Sequence, residues 1–193
     1  MRVTSLNLPP PRCLTTVVAE KPAGDLRARL VEAFISDEKD AAARALHESL
    51  GRAEPWISTR DELEVFTILC PCGGAVGKII GVRTNDELCS PLRLACTKCG
   101  VSTMLFDVNQ DGWNAEISKR KRKPRKEPKM TFAMHCKACK NTLWRSAAIV
   151  TYQGDNYADI PADTLQNYFD VMLLGGVCAT CDAVDFRFGE ECA

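Results

Sequence analysis

Histidine is nearly missing: His47 and His135 are the only two in a chain of 193 residues. With so few there is no Ser-His-Asp triad or histidine-rich metal centre to nominate, and neither a P-loop nor a G-x-S-x-G elbow occurs. Net charge is missing as well. The 25 basic residues balance 25 acidic ones, so no global field marks the chain as a polyanion or membrane-surface binder. No apolar run approaches the roughly 20 residues that span a bilayer. The N-terminus has no continuous apolar segment and carries Pro9, Pro10 and Pro11 in succession, unlike a secretory signal. These absences predict an intracellular, non-enzymatic protein with no membrane partner, cytoplasmic, or nuclear in a nucleated cell. A hydrophobic share of 46% argues against disorder, and the length suits one large domain or two to three small ones.

What the chain has in excess is cysteine, eleven in all. In a reducing compartment that number points away from disulfides and toward metal binding or redox chemistry. Eight of the eleven fall into four close pairs, Cys70 and Cys72, Cys96 and Cys99, Cys136 and Cys139, and Cys178 and Cys181. A zinc ion takes four tetrahedral ligands at about 2.3 Å for sulfur, and a Cys-x-Cys or Cys-x-x-Cys turn aims two thiolates at one point. In chain order the pairs make two quartets, with 23 residues between the pairs of the first and 38 in the second. Each insert is long enough to run out and back as strands. Cys13, Cys89 and Cys192 are left without a role. Cys89 is an alternative ligand for the first quartet and His135, beside Cys136, for the second. A thiol redox role is the least favoured, because such chemistry wants a helix N-terminus at the pair and these flanks read as strands.

At these residues the sequence resembles the zinc-ribbon superfamily, whose knuckles usually read C-P-x-C-G and C-x-x-C-G. Cys96-Thr-Lys-Cys99-Gly100 has the second form in full. Cys70-Pro-Cys72-Gly73-Gly74 is one residue short of the first, with two glycines to supply positive φ angles. Lys140 and Asp182 stand where the second quartet would have glycine. The resemblance covers residues 64 to 110 and 130 to 190 and implies two structural zinc ions per chain, each closed by four thiolates. The two halves also match each other. Phe66 and Phe132 lie four residues before Cys70 and Cys136, and Leu92 and Leu174 four before the third cysteine of each set. Met104 and Phe106 follow Cys99 at the offsets at which Phe186 and Phe188 follow Cys181.

The fold expected from this pattern is α+β: an N-terminal helical pair followed by two small β-rich zinc ribbons, the second with an inserted amphipathic helix. Residues 1–24 read as an extended arm. Residues 25–60 form the helical segment, with Leu26, Leu30, Ala33 and Phe34 on one apolar face and a second helix over 41–50 ending at Gly51. The first ribbon occupies 61–117 and the second 130–193. Within the second, Leu165, Tyr168, Phe169, Met172 and Leu173 follow helical spacing, with Pro161 at the first turn and Gly175 and Gly176 at the end. Between the ribbons, 118–129 is a basic linker that self-repels and buries nothing.

That linker holds Lys119, Arg120, Lys121, Arg122, Lys123, Arg125, Lys126 and Lys129 against a single acid, Glu127, a local net of +7. A zinc ion with four thiolates carries −2, so two filled sites move the formal total from 0 to −4. The ribbons are then acidic bodies joined by a cationic tether. The function expected is an adaptor or regulatory subunit that engages a partner protein. The alternative is a nucleic-acid-binding factor whose linker and ribbons contact DNA or RNA phosphates. Trp113 and Trp144 are the aromatics available for base stacking, although packing is their expected role.

Overall fold

The computed structural model describes residues 10–22, 24–33, 61–84, 87–107, 111, 130–153 and 171–191. A 3-10 turn, Arg12–Thr16, leads into β1 (Val18–Glu20), and a helix, α1, covers 25–33. Then come β2 (Asp61–Leu69), β3 (Val76–Thr84), β4 (Glu87–Cys96), β5 (Ser102–Phe106), β6 (Phe132–Ala133), β7 (Trp144–Gln153), β8 (Val171–Cys178) and β9 (Val184–Glu191). All nine strands among the described residues belong to one antiparallel sheet that curls into a half-barrel.

This corrects the expected fold. The chain does not build a helical pair followed by two separate ribbons; among the described residues it is mostly β with a single helix. The second expected helix, 41–50, lies outside the described residues, as do the basic linker, His47, Trp113 and Cys192. The inserted helix is overturned at its C-terminal half. Met172, Leu173, Gly175 and Gly176 belong to β8, where Met172 and Leu174 enter one core and Leu173 and Val177 another. A strand buried on both faces is a continuous apolar run, and periodicity alone does not separate it from a buried helix.

The sheet is a duplicated unit. In one hairpin Leu92 pairs with Phe106 and, after a bulge, Arg93 with Met104, Leu94 with Thr103 and Ala95 with Ser102. In the other, Leu174 pairs with Phe188 and, after a bulge at the same place, Gly175 with Phe186, Gly176 with Asp185 and Val177 with Val184. The units then exchange their first strands. Phe66 and Thr67 of β2 pair with Ala148 and Ala147 of β7, while Phe132 and Ala133 of β6 pair with Gly81 and Ile80 of β3. β2 and β3 run in succession along one edge of β7, and the first Cys-x-Cys knuckle projects where one gives way to the other.

A local pseudo-dyad passes between Gly77 and Trp144, which occupy equivalent places in the two units and pair with each other. Only one of the two positions is large. A Cβ on Gly77 would lie 2.6 Å from Leu94 Cδ1 and 2.8 Å from the Ala95 carbonyl oxygen, whereas Trp144 is fully buried and donates from Nε1 to the Met134 carbonyl at 3.0 Å. Its indole joins Ile79, Met134, Cys136 and Cys178 in one cluster, so it is not available to stack on a base.

Two further cores hold the sheet's curl. On the inner face Phe66, Ile68, Ala148, Val150, Met172 and Leu174 meet Leu92, Leu94, Leu105 and Phe106 from the opposite end of the sheet, with Leu14 of the 3-10 turn among them. On the outer face Leu30 of α1 packs on Val65, Ala147, Ile149 and Val177. Arg29 of the same helix donates from Nη2 to the Asp182 carbonyl at 2.8 Å, tying α1 to a knuckle of the second quartet. Glu64, wholly buried, is paired with Lys21, whose ammonium lies 4.8 Å from the centre of the Phe66 ring.

Candidate metal centres

Each quartet is drawn together from two turns. Cys70 and Cys72 occupy the β2–β3 knuckle and meet Cys96 and Cys99 from the β4–β5 turn. Cys136 and Cys139, between β6 and β7, meet Cys178 and Cys181 from the β8–β9 turn. The turns share one hydrogen-bond pattern. The amides of Cys96, Cys136 and Cys178 donate to the carbonyls five residues on, at Val101, Asn141 and Ala183, and Gly100, Lys140 and Asp182 donate back to the first cysteine's carbonyl. In the shorter first knuckle Cys70 donates to Gly74 and receives from Gly73.

The residue after the second cysteine has a positive φ in every knuckle: 76° at Gly73, 73° at Gly100, 64° at Lys140 and 59° at Asp182. The two non-glycines therefore adopt the glycine geometry, and Asp182 is held there by a salt bridge with Arg145. Lys140 has no acidic partner among the described residues, its ammonium donating to the Lys137 carbonyl at 3.1 Å. Since a side chain in the left-handed region costs about 1–2 kcal/mol, Lys140→Gly should raise stability by about 1 kcal/mol in denaturant unfolding of the metal-loaded protein.

Gly74 has a different task from the one expected of it. Its φ is not positive; what the position lacks is room, because a Cβ there would stand 2.5 Å from Cys96 Sγ and 3.3 Å from Cys72 Sγ. The Gly-Gly pair was visible in the sequence, but the close approach of a thiol to one of them was not. Gly74→Val should weaken metal binding at the first quartet by at least about tenfold in chelator competition, leaving the ligands of the second in place.

The sulfurs are spaced for a cation. Cys70 and Cys99 Sγ lie 3.6 Å apart and Cys72 and Cys96 3.7 Å; in the second quartet Cys136 and Cys181 lie 3.6 Å apart and Cys139 and Cys178 3.5 Å. All four sulfurs of a quartet fall within 4.8 Å of one another. A regular tetrahedron of sulfurs about 2.3 Å from its centre has edges of roughly 3.8 Å, whereas a disulfide needs about 2.05 Å. Both quartets are positioned to bind metal. Cys89 pairs with Val82 on the β3–β4 ladder and His135 is exposed; neither joins a quartet. Cys13 lies buried with its Sγ 3.8 Å from Met172 Sδ.

Backbone amides ready particular thiols for ionisation. The Cys99 amide, helped by that of Lys98, brings Cys96 down to about 7 against the opposing effect of burial. Burial is the largest influence on Cys178, yet the amides of Thr180 and Cys181 outweigh it and bring this thiol also to about 7. Cys70 goes the other way. The Cys72 amide favours its thiolate, but burial and the neighbouring thiols together push it up to about 12. The amide of Ala183 likewise loses at Cys181, where the Cys139 thiol and burial push the value to about 12. Cys96 and Cys178 thus ionise before Cys70 and Cys181, whose protons a divalent cation must displace. Affinity should fall by about one decade per pH unit for each proton displaced, and more steeply below pH 7, where Cys96 and Cys178 are protonated too. A competition titration between pH 8 and pH 5.5 measures this slope.

Comparison with protein-family models, with curated proteins and with solved structures finds no match to this chain. The metal centres therefore rest on their own geometry. Lys98 donates to the Cys72 carbonyl at 3.0 Å beside the first quartet, while Lys137, 3.2 Å from the buried carboxylate of Asp185, is neutralised by it. The Lys98 ammonium offsets part of the −2 charge of a filled first quartet.

Proposed function

We propose that this chain is a non-enzymatic adaptor or regulatory subunit in which two zinc ions hold a protein-binding sheet in shape. The observation that carries this reading is the closure of both quartets by four thiolates. A catalytic zinc keeps one position for water or substrate, and a site with four protein ligands is structural. Zinc is favoured over other cations because a tetrahedral all-sulfur donor set suits it; iron is the competitor that the same geometry admits. Eight thiolate ligands suit a reducing compartment, and the localisation that goes with this reading is the cytoplasm or, in a nucleated cell, the nucleus.

A second reading is supported by the basic run from Lys119 to Lys129, whose eight positive side chains suit a polyanion. One experiment separates the two. The full chain and a variant with those eight residues changed to Gln are used as bait in native extract, with and without nuclease. An adaptor retains the same protein partner in all four arms. If retention instead depends on intact nucleic acid and on the basic run, the protein is a nucleic-acid-binding factor and the adaptor reading is wrong.

A further inference from the structure

The two metal centres are not independent bodies on a common support. One row of the sheet runs from a ligand of the first to a ligand of the second: Cys96 is the cross-strand partner of Gly77, Gly77 of Trp144, and Trp144 of Cys178. We propose that the ions are coupled through this row, so that occupancy of either quartet tightens the hold of the other. This deepens the proposed function and rests on both quartets holding an ion.

The weak element between the centres is the junction of β3 and β7. It consists of two residue pairs, Val76 with Arg145 and Gly77 with Trp144, against seven pairs between β2 and β7. Both strands enter this junction directly from a knuckle. The Thr97 amide of the first quartet donates to the Val76 carbonyl at 3.1 Å, and the Ala179 amide of the second to the Leu143 carbonyl at 2.9 Å. A filled quartet fixes its turn and hence the start of its strand, and the junction forms only when both starts are fixed. The Trp144 indole carries the same coupling through side chains, since it packs on Cys136 and Cys178 of the second quartet and on Ile79 of β3.

The sign of the effect separates this route from direct electrostatics. Three strand spacings of about 4.8 Å put Cys96 and Cys178 roughly 14 Å apart along the row. Two filled sites of charge −2 repel at that range, although screening over about 10 Å makes the repulsion small. Charge alone would make the second ion bind more weakly. The β3–β7 junction makes it bind more tightly, by at least about fivefold, the lower end of measured couplings between sites.

Zinc-loaded full-length protein is exposed to a chelator and N-ethylmaleimide, and alkylation of each cysteine is followed by mass spectrometry. Elemental analysis of the same samples establishes separately whether both quartets are filled. In Cys72→Ser, which damages the first quartet alone, alkylation of Cys139 and Cys181 should accelerate at least fivefold. In Trp144→Leu, which keeps all eight ligands, Cys72 and Cys99 should accelerate together with Cys139 and Cys181; this second variant decides the matter if the first does not fold. Wild-type rates at Cys139 and Cys181 in a folded Cys72→Ser protein, or at Cys72 and Cys99 in Trp144→Leu, would overturn the coupling.

Discussion

Chelation of the bound ions at neutral pH should abolish most of the strand signal in circular dichroism, and returning zinc should restore it. The four knuckles close the turns from which β3, β5, β7 and β9 set out, and in a metal-free quartet the thiols are close enough to oppose one another's ionisation. Ligation supplies an apparent ~10–16 kcal/mol per structural zinc site, while a whole domain is stable by about 5–15 kcal/mol. Removing either ion therefore takes away an amount comparable with the total. A far-ultraviolet spectrum unaltered after complete chelation would show that the sheet stands without metal.

The second large effect is expected at the pseudo-dyad. Trp144→Ala removes the indole from the cluster of Ile79, Met134, Cys136 and Cys178 and strips the Met134 carbonyl of its donor. Loss of a large buried aromatic costs about 3–5 kcal/mol, and the freed carbonyl, if it finds no water, adds about 1–3 kcal/mol. Denaturant unfolding at saturating zinc should register at least the first of these amounts. Trp144→Phe should lose less, since most of the ring volume remains. A change below about 1 kcal/mol for Trp144→Ala would mean that the cluster of Ile79, Met134, Cys136 and Cys178 does not depend on the indole.

The ligand quartets were legible in the sequence because knuckle chemistry is local. Four pairs at tight spacing, a glycine or its stand-in after each, and apolar residues at matched offsets all lie within a few positions of a cysteine. The matched offsets carried more information than their number suggested, since they reappear as the same strand register, with its bulge, in both hairpins.

The single sheet was not legible, and the reason is the strand exchange. Nothing near Phe66 indicates that its partner is Ala148 rather than a residue of its own ribbon. β6 is only two residues long and leaves almost no pattern to read. Helical spacing over Leu165 to Leu173 was met by Met172 and Leu173, but tertiary contacts on both faces recruit these two to a strand. The role of Gly74 was hidden for the same kind of reason. Its constraint is the sulfur of Cys96, a neighbour that only the folded chain brings near.

Both the metal-dependent fold and the coupling between sites require two ions enclosed by eight thiolates. Metal analysis of freshly isolated protein, combined with counting of reactive thiols under native conditions, tests this most directly. The account predicts two zinc ions per chain and protection of Cys70, Cys72, Cys96, Cys99, Cys136, Cys139, Cys178 and Cys181 until a chelator is added. Fewer than one ion per chain, or ready alkylation of all eight in the native protein, would contradict it.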